Sequence, residues 1–253
     1  MIIFLGIASP ASGHLATTIF RLSHLQVGNP STCNDYHLLY RTIDINITGI
    51  IIMTKEILDE LKSHLPFTIF GALTGIIIMM VLHKINIPAK ISYNIFYTLH
   101  PIHVLLSALV TASMYELHTG GKIKLWLLIT IGYVGSIGIA TLSDSIIPYI
   151  GEVFLNLPNR GIHLGFIEKW WLINPLAFLG ILIAYFRPAT KFPHFGHVLL
   201  STWASLFHII MALGGSLHWF SYMIIFIFLF ISVWIPCCVS DIIFPLLFVK
   251  EKT

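Results

Sequence analysis

The chain has 253 residues, 57% of them hydrophobic and only 10% charged, with a formal net charge of +3 and a mean hydropathy of +0.88. A soluble domain carries about a quarter charged residues, so the composition excludes a water-soluble globule and points to an all-α integral membrane protein. So small a charge on so apolar a chain gives no reason to expect nucleic acid as a partner, and three cysteines (Cys33, Cys237, Cys238) rule out a disulfide framework. Histidine is the unusual component, with 13 residues against 11 Asp and Glu together.

Residues 1–52 differ from the rest of the chain. The apolar run Met1 to Ala8 has no positive flank and is too short to span a bilayer. Beyond it, polar residues and scattered charges show no sustained period, and Asn46-Ile47-Thr48 matches a glycosylation sequon of a kind common by chance. This stretch is expected to be a weakly structured N-terminal extension that need not belong to the native product. Met53-Thr54-Lys55-Glu56 reads as a natural start, and an amphipathic helical run continues to Ser63.

Hydropathy then predicts about six transmembrane helices, near 66–83, 92–117, 124–147, 171–187, 193–215 and 219–248. The stretch 148–170 is interrupted by Pro158, Asn159, Arg160 and further charges, and is expected to be a surface or re-entrant segment. Gly71 with Gly75, and the series Gly132, Gly135, Gly138, predict small-residue faces for close helix packing.

Three landmarks recur in the same order. Pro66 and Gly71 open span one, and Pro175 and Gly180 open span four at the same separation. His100-x2-His103-Val-Leu-Leu-Ser107 lies in span two; His194-x2-His197-Val-Leu-Leu-Ser201 lies in span five. Ser143-Asp144 with Pro148 ends span three, and Ser240-Asp241 with Pro245 ends span six. The chain therefore reads as two three-helix repeats, 53–152 and 153–253. Three is odd, so the second copy enters the membrane from the other side, an inverted repeat of the kind many secondary transporters use. The layout resembles that of several small cation and amino-acid exporters in architecture alone.

The His repeat carries the chemistry. His100, His103, Ser107 and Thr111 fall on one helix face, as do His194, His197, Ser201 and Ser205, because 3.6 residues make a turn. His208 extends the second stripe where Met114 stands in the first, and His118 extends the first further on. Hairpin geometry brings Asp144 to His100 and His103, and Asp241 to His194 and His197. Two imidazoles and a carboxylate form a common ligand set for Zn²⁺, Mn²⁺, Fe²⁺ or Ni²⁺. Intramembrane charge is costly and usually functional. Cys237 is expected level with His197; it is either a softer ligand or, by the preferred reading, a small hydrophobe. His83, His163 and His218 sit at span ends and are expected to be interfacial.

The leading expectation is thus a transporter or permease for a divalent transition-metal cation, or a proton-coupled cation, multi-pass in the cell (inner) membrane, whose partners are the lipid bilayer and a small cation. Ser107, Thr111, Ser201, Ser205 and His208 would line its path. The runner-up is an integral-membrane metalloenzyme in which the two sets converge on one or two metals. Haem between histidines explains the aspartates poorly, and a His network that only fixes helix packing is the plain alternative. No His-Glu-x-x-His motif is present, which argues against a membrane zinc protease of that type.

Overall fold

A computed structural model describes residues 64–119, 123–189, 191–214, 217–239 and 243–248, with Leu58, Leu61 and Lys62. Within these, the side chains of residues 191–195, Cys238 and Leu246 are not described. The extension 1–52, the side chain of His194, and both Ser240 and Asp241 therefore lie outside the described residues. Among the described residues every regular element is helical.

Chain order gives α1 (His64–Lys84), α2 (Ala89–His118), α3 (Leu125–Thr141), a π-helical turn (Leu142–Ile146) and α4 (Ile147–Phe154). After the short α5 (Gly165–Glu168) come α6 (Trp170–Phe186), α7 (Lys191–Ala212), α8 (Trp219–Cys238) and α9 (Phe244–Leu246). Among the described residues, four helices are long and apolar enough to cross a membrane: α1, α2, the continuous run from Leu125 to Phe154, and α8. Residues 170–186 and 196–212 are shorter apolar helices. Their outward faces carry large exposed apolar side chains, among them Phe70, Val134, Leu182 and Ile227, as lipid contact requires.

One expectation changes here. Helix continues beyond residue 147, through Pro148, so 147–154 belongs to the third long helical run and not to a surface segment. Proline lies in the first turn of α4, directly after the π turn. Pro148 does leave the Ser143 carbonyl, five residues back, without the N–H that a π turn would supply. Ser205 of α7 fills the gap, its Oγ–H donating to Ser143 O at 2.8 Å. The motif Ser-Asp-x3-Pro thereby makes a break in the helix that only a neighbouring helix can satisfy. Val239 and Ile243, which flank the second Ser-Asp pair, are also π-helical, and Pro245 opens α9 as Pro148 opens α4.

α2 is the hub, packed against α3, α6 and α7. It runs antiparallel to α7: Phe96 meets His208, whereas His103 meets His197. Glycines set the closest approaches. A Cβ on Gly71 of α1 would come within 3.0 Å of Thr202 Oγ1 on α7. One on Gly180 of α6 would lie 2.3 Å from Leu105 O and 2.9 Å from Ala108 Cβ on α2. Of the expected small-residue series on α3, Gly132 and Gly135 face neighbours, Ile181 and Thr111, at under 3 Å. Gly138 meets nothing within 4 Å and points outward.

That contrast sets a test. Gly180→Ala forces α6 away from a backbone carbonyl that cannot move aside, and should destabilise the detergent-extracted protein by about 1–3 kcal/mol. Gly138→Ala should be neutral or slightly stabilising, because Ala is the better helix former. Thermal unfolding of both variants in one detergent checks the pair; equal midpoints would refute the close α6–α2 contact.

Candidate metal centre

His100 and His103 lie in the middle third of the 30-residue α2, on the face turned to the π turn and α7. Both are essentially inaccessible, as is Asp144. His100 Nδ1 is 2.8 Å and His103 Nδ1 2.7 Å from the same carboxylate oxygen, Asp144 Oδ2. The other oxygen, Oδ1, accepts hydrogen bonds at 2.7 Å from Ser143 Oγ and from Ser201 Oγ. Asp144 thus gathers donors from its own turn, from α2 and from α7.

The π turn makes this convergence possible. Its wider loop of backbone shifts the helix register locally, so Ser143, Asp144 and Ser145 are all buried instead of alternating with lipid. Ser143 then serves Asp144, while Ser145 Oγ donates to His163 O at 2.6 Å and ties down the segment after α4. Gly165 completes the floor: a Cβ there would strike the His100 ring at 2.5 Å from Nε2.

His100, His103 and Asp144 could hold a metal ion: one ligand atom from each lies within 4.8 Å of the others. Two imidazole nitrogens and a carboxylate oxygen suit borderline divalent ions, and an ion bound there would neutralise a carboxylate buried in an apolar bundle. Without an ion, Asp144 has two imidazoles and two hydroxyls as hydrogen-bond partners, so the same group also locks α2, the π turn and α7 together.

The remaining predicted residues fall into place unevenly. His197 is fully buried on α7 and stacks on His103, ring centroids 5.8 Å apart and planes within 6°. Ser205 Oγ lies 2.8 Å from both Ser143 O and Ser201 O and shares its one proton between them, so it braces the site instead of lining it. Ser107 is buried, with no hydrogen-bond partner for Oγ among the described residues. Thr111 is buried with its methyl against Gly135, a packing position. His208 leaves the Asp144 group and pairs with Glu152, Nδ1 to Oε1 at 2.7 Å. His118 is exposed at the end of α2, its Nδ1 bonded to Met114 O, and does not extend the site. Cys237 packs with Val198, Val233 and Phe67 as a small hydrophobe. The His194 side chain and Asp241 lie outside the described residues.

Sequence reasoning missed Ser143 and Gly165 as parts of the site, and Glu152 as a buried acid. Ser143 stood beside Asp144 in the repeated Ser-Asp pair, which was the signal available. Gly165 and Glu152 carried none, since both lie in the stretch whose charges and proline read as surface.

No protein-family model, curated protein or solved structure matches this chain. The functional reading therefore rests on the residues themselves.

Proposed function

We propose that the chain is a permease for a divalent transition-metal cation (Zn²⁺, Mn²⁺, Fe²⁺ or Ni²⁺), crossing the cell (inner) membrane six times. His100, His103 and Asp144 bind the cargo, and the seam between α2 and α7 is its path. One observation carries this reading. Three metal-ligating side chains, all buried, converge in the middle of the bundle, where an unused charge would only destabilise the fold.

The inverted repeat belongs to the same proposal, and reciprocal contacts support it. Gly71 of the first half packs on Thr202 of the second, and Gly180 of the second packs on Ala108 of the first. With the two His stripes aligned, Thr202 is the counterpart of Ala108. The segments after the two Ser-Asp pairs exchange in the same way: α4 packs on α7 and α8, and α9 packs on α2 and α3. The antiparallel run of α2 and α7 is what a pseudo-twofold axis in the membrane plane would produce. Under that axis His194, His197 and Asp241 form the second staging set. Ser107, the counterpart of Ser201, has a buried hydroxyl without a hydrogen-bond partner among the described residues, which such a set would employ.

The stacking of His197 on His103 favours a second reading, a metalloenzyme with one shared centre. Reconstitution separates the two. The full chain in liposomes loaded with a metal-sensitive fluorophore should admit Mn²⁺ or Zn²⁺ saturably, and a His103→Ala and His197→Ala double variant should not. Metal that co-purifies with the wild type but never crosses the bilayer would favour the enzyme. Neither binding nor uptake would leave a network that only packs helices.

A further inference from the structure

A second buried acid stands apart from the metal-ligating group. Glu152, near the end of α4, is 1% exposed, and no Lys or Arg neutralises it among the described residues. Arg160 is exposed, and Lys169 sits over the rings of Tyr93 and Tyr97. The partners of Glu152 are His208, whose Nδ1 is 2.7 Å from Oε1, and the Gly161 N–H, which donates to Oε2 at 3.2 Å. His208 is equally buried, and its Nε2 has no hydrogen-bond partner among the described residues. Its ring meets His163 edge-on at 5.3 Å and Phe96 at 5.4 Å. Phe96 also stacks on His100, so its ring insulates His208 from the Asp144 group. His163 is 28% exposed and lies 3.4 Å from Glu168, itself 34% exposed and hydrogen-bonded by Tyr97 Oη.

The groups therefore form a line from the protein surface inward: Glu168, His163, His208, Glu152. A metal does not explain it, because among the described residues only His100, His103 and Asp144 bring three donors together. We propose that Glu152 and His208 form a proton-binding site, loaded from water through His163 and Glu168 and separate from the cation ligands. The step balances on one imidazole. His208 Nε2 takes up a proton from the His163 side, and Nδ1 passes its own proton to Glu152 Oε1. Imidazole stays neutral in the other tautomer, and the carboxylate becomes a neutral acid that donates back to Nδ1. The same 2.7 Å contact serves both directions, and reversal returns the proton to water. A carboxyl that can lose its charge in this way avoids the penalty of a bare buried carboxylate. The proton site stands on its own geometry; its role as the ion coupled to cation movement rests on the permease reading.

The test is infrared difference spectroscopy of the purified full chain, without metal, after a pH jump. The carbonyl stretch of a protonated carboxylic acid should gain intensity on acidification in the wild type and in Asp144→Asn. It should be absent in Glu152→Gln, which should keep its Zn²⁺ binding. In His208→Gln, proton uptake at Glu152 should slow by at least about 100-fold, the usual worth of a positioned proton carrier. No titrating band in the wild type, or its survival in Glu152→Gln, would overturn the proposal. So would an unchanged rate in His208→Gln, which decides the matter if Glu152→Gln does not fold. Loss of the band in Glu152→Gln from a protein that never binds Zn²⁺ would keep the proton site and sink the permease reading instead.

Discussion

Asp144→Asn should weaken divalent-cation binding by more than the roughly 10–100-fold typical of losing an outer-shell partner, while the protein still extracts and runs as a single species. Asp144 supplies the set's only negative charge, and both imidazoles point at one of its oxygens. Asn keeps the size and the oxygen that Ser143 and Ser201 reach, but puts a weak neutral ligand or an N–H where a cation would sit. Removing a buried charge also spares the fold its desolvation cost. Asp144→Ala should behave differently. It strands two imidazoles and two hydroxyls at once and should cost about 3–5 kcal/mol of stability. Calorimetric Zn²⁺ or Mn²⁺ titration of the Asn variant, with thermal unfolding of both, tests the pair. Unchanged affinity in Asp144→Asn would remove the metal centre.

The second large effect is that of pH. An imidazole must be free of its proton at the ligating nitrogen, so protons and metal compete for it, and affinity falls as pH falls. With two imidazole ligands the limit is two protons displaced per ion bound, and the fall is followed between about pH 7.5 and 5.5. The slope therefore steepens as pH falls, toward that limit of two protons per ion. A cargo site with that slope loads on the alkaline side of a membrane and unloads on the acidic side. Binding isotherms across this window in detergent are the measurement. An affinity flat with pH would mean that neither His100 nor His103 ligates the ion.

Much of the bundle was legible because membrane helices leave strong one-dimensional traces. A bilayer span demands a long apolar run, and α1 and α2 fall within a few residues of the predicted bounds, whereas α8 starts where predicted but ends at Cys238, ten residues early. The pairing of His100 and His103 with Asp144 followed from helical period and hairpin register alone, both of which are local geometry. Expectation failed where a residue's partner lies far along the chain. His208 shares the α7 stripe with Ser201, yet it turns to Glu152 while Ser201 turns to Asp144. Period assigns a face; it does not say which acid another helix brings to that face.

The sequence by itself determined that this chain is apolar and helical, and which side chains share a stripe, because composition and helical period are properties of the covalent order. Tertiary structure alone decided that Ser201 of the second His stripe completes the carboxylate of the first Ser-Asp pair. It also decided that two residues of the charged stretch after Pro148 face inward, Glu152 buried and Gly165 seated under His100. The physical reason is satisfaction of polar groups. In an apolar bundle each buried carboxylate and orphaned carbonyl must find a donor, and the donors come from helices whose order of packing is not written in any local pattern.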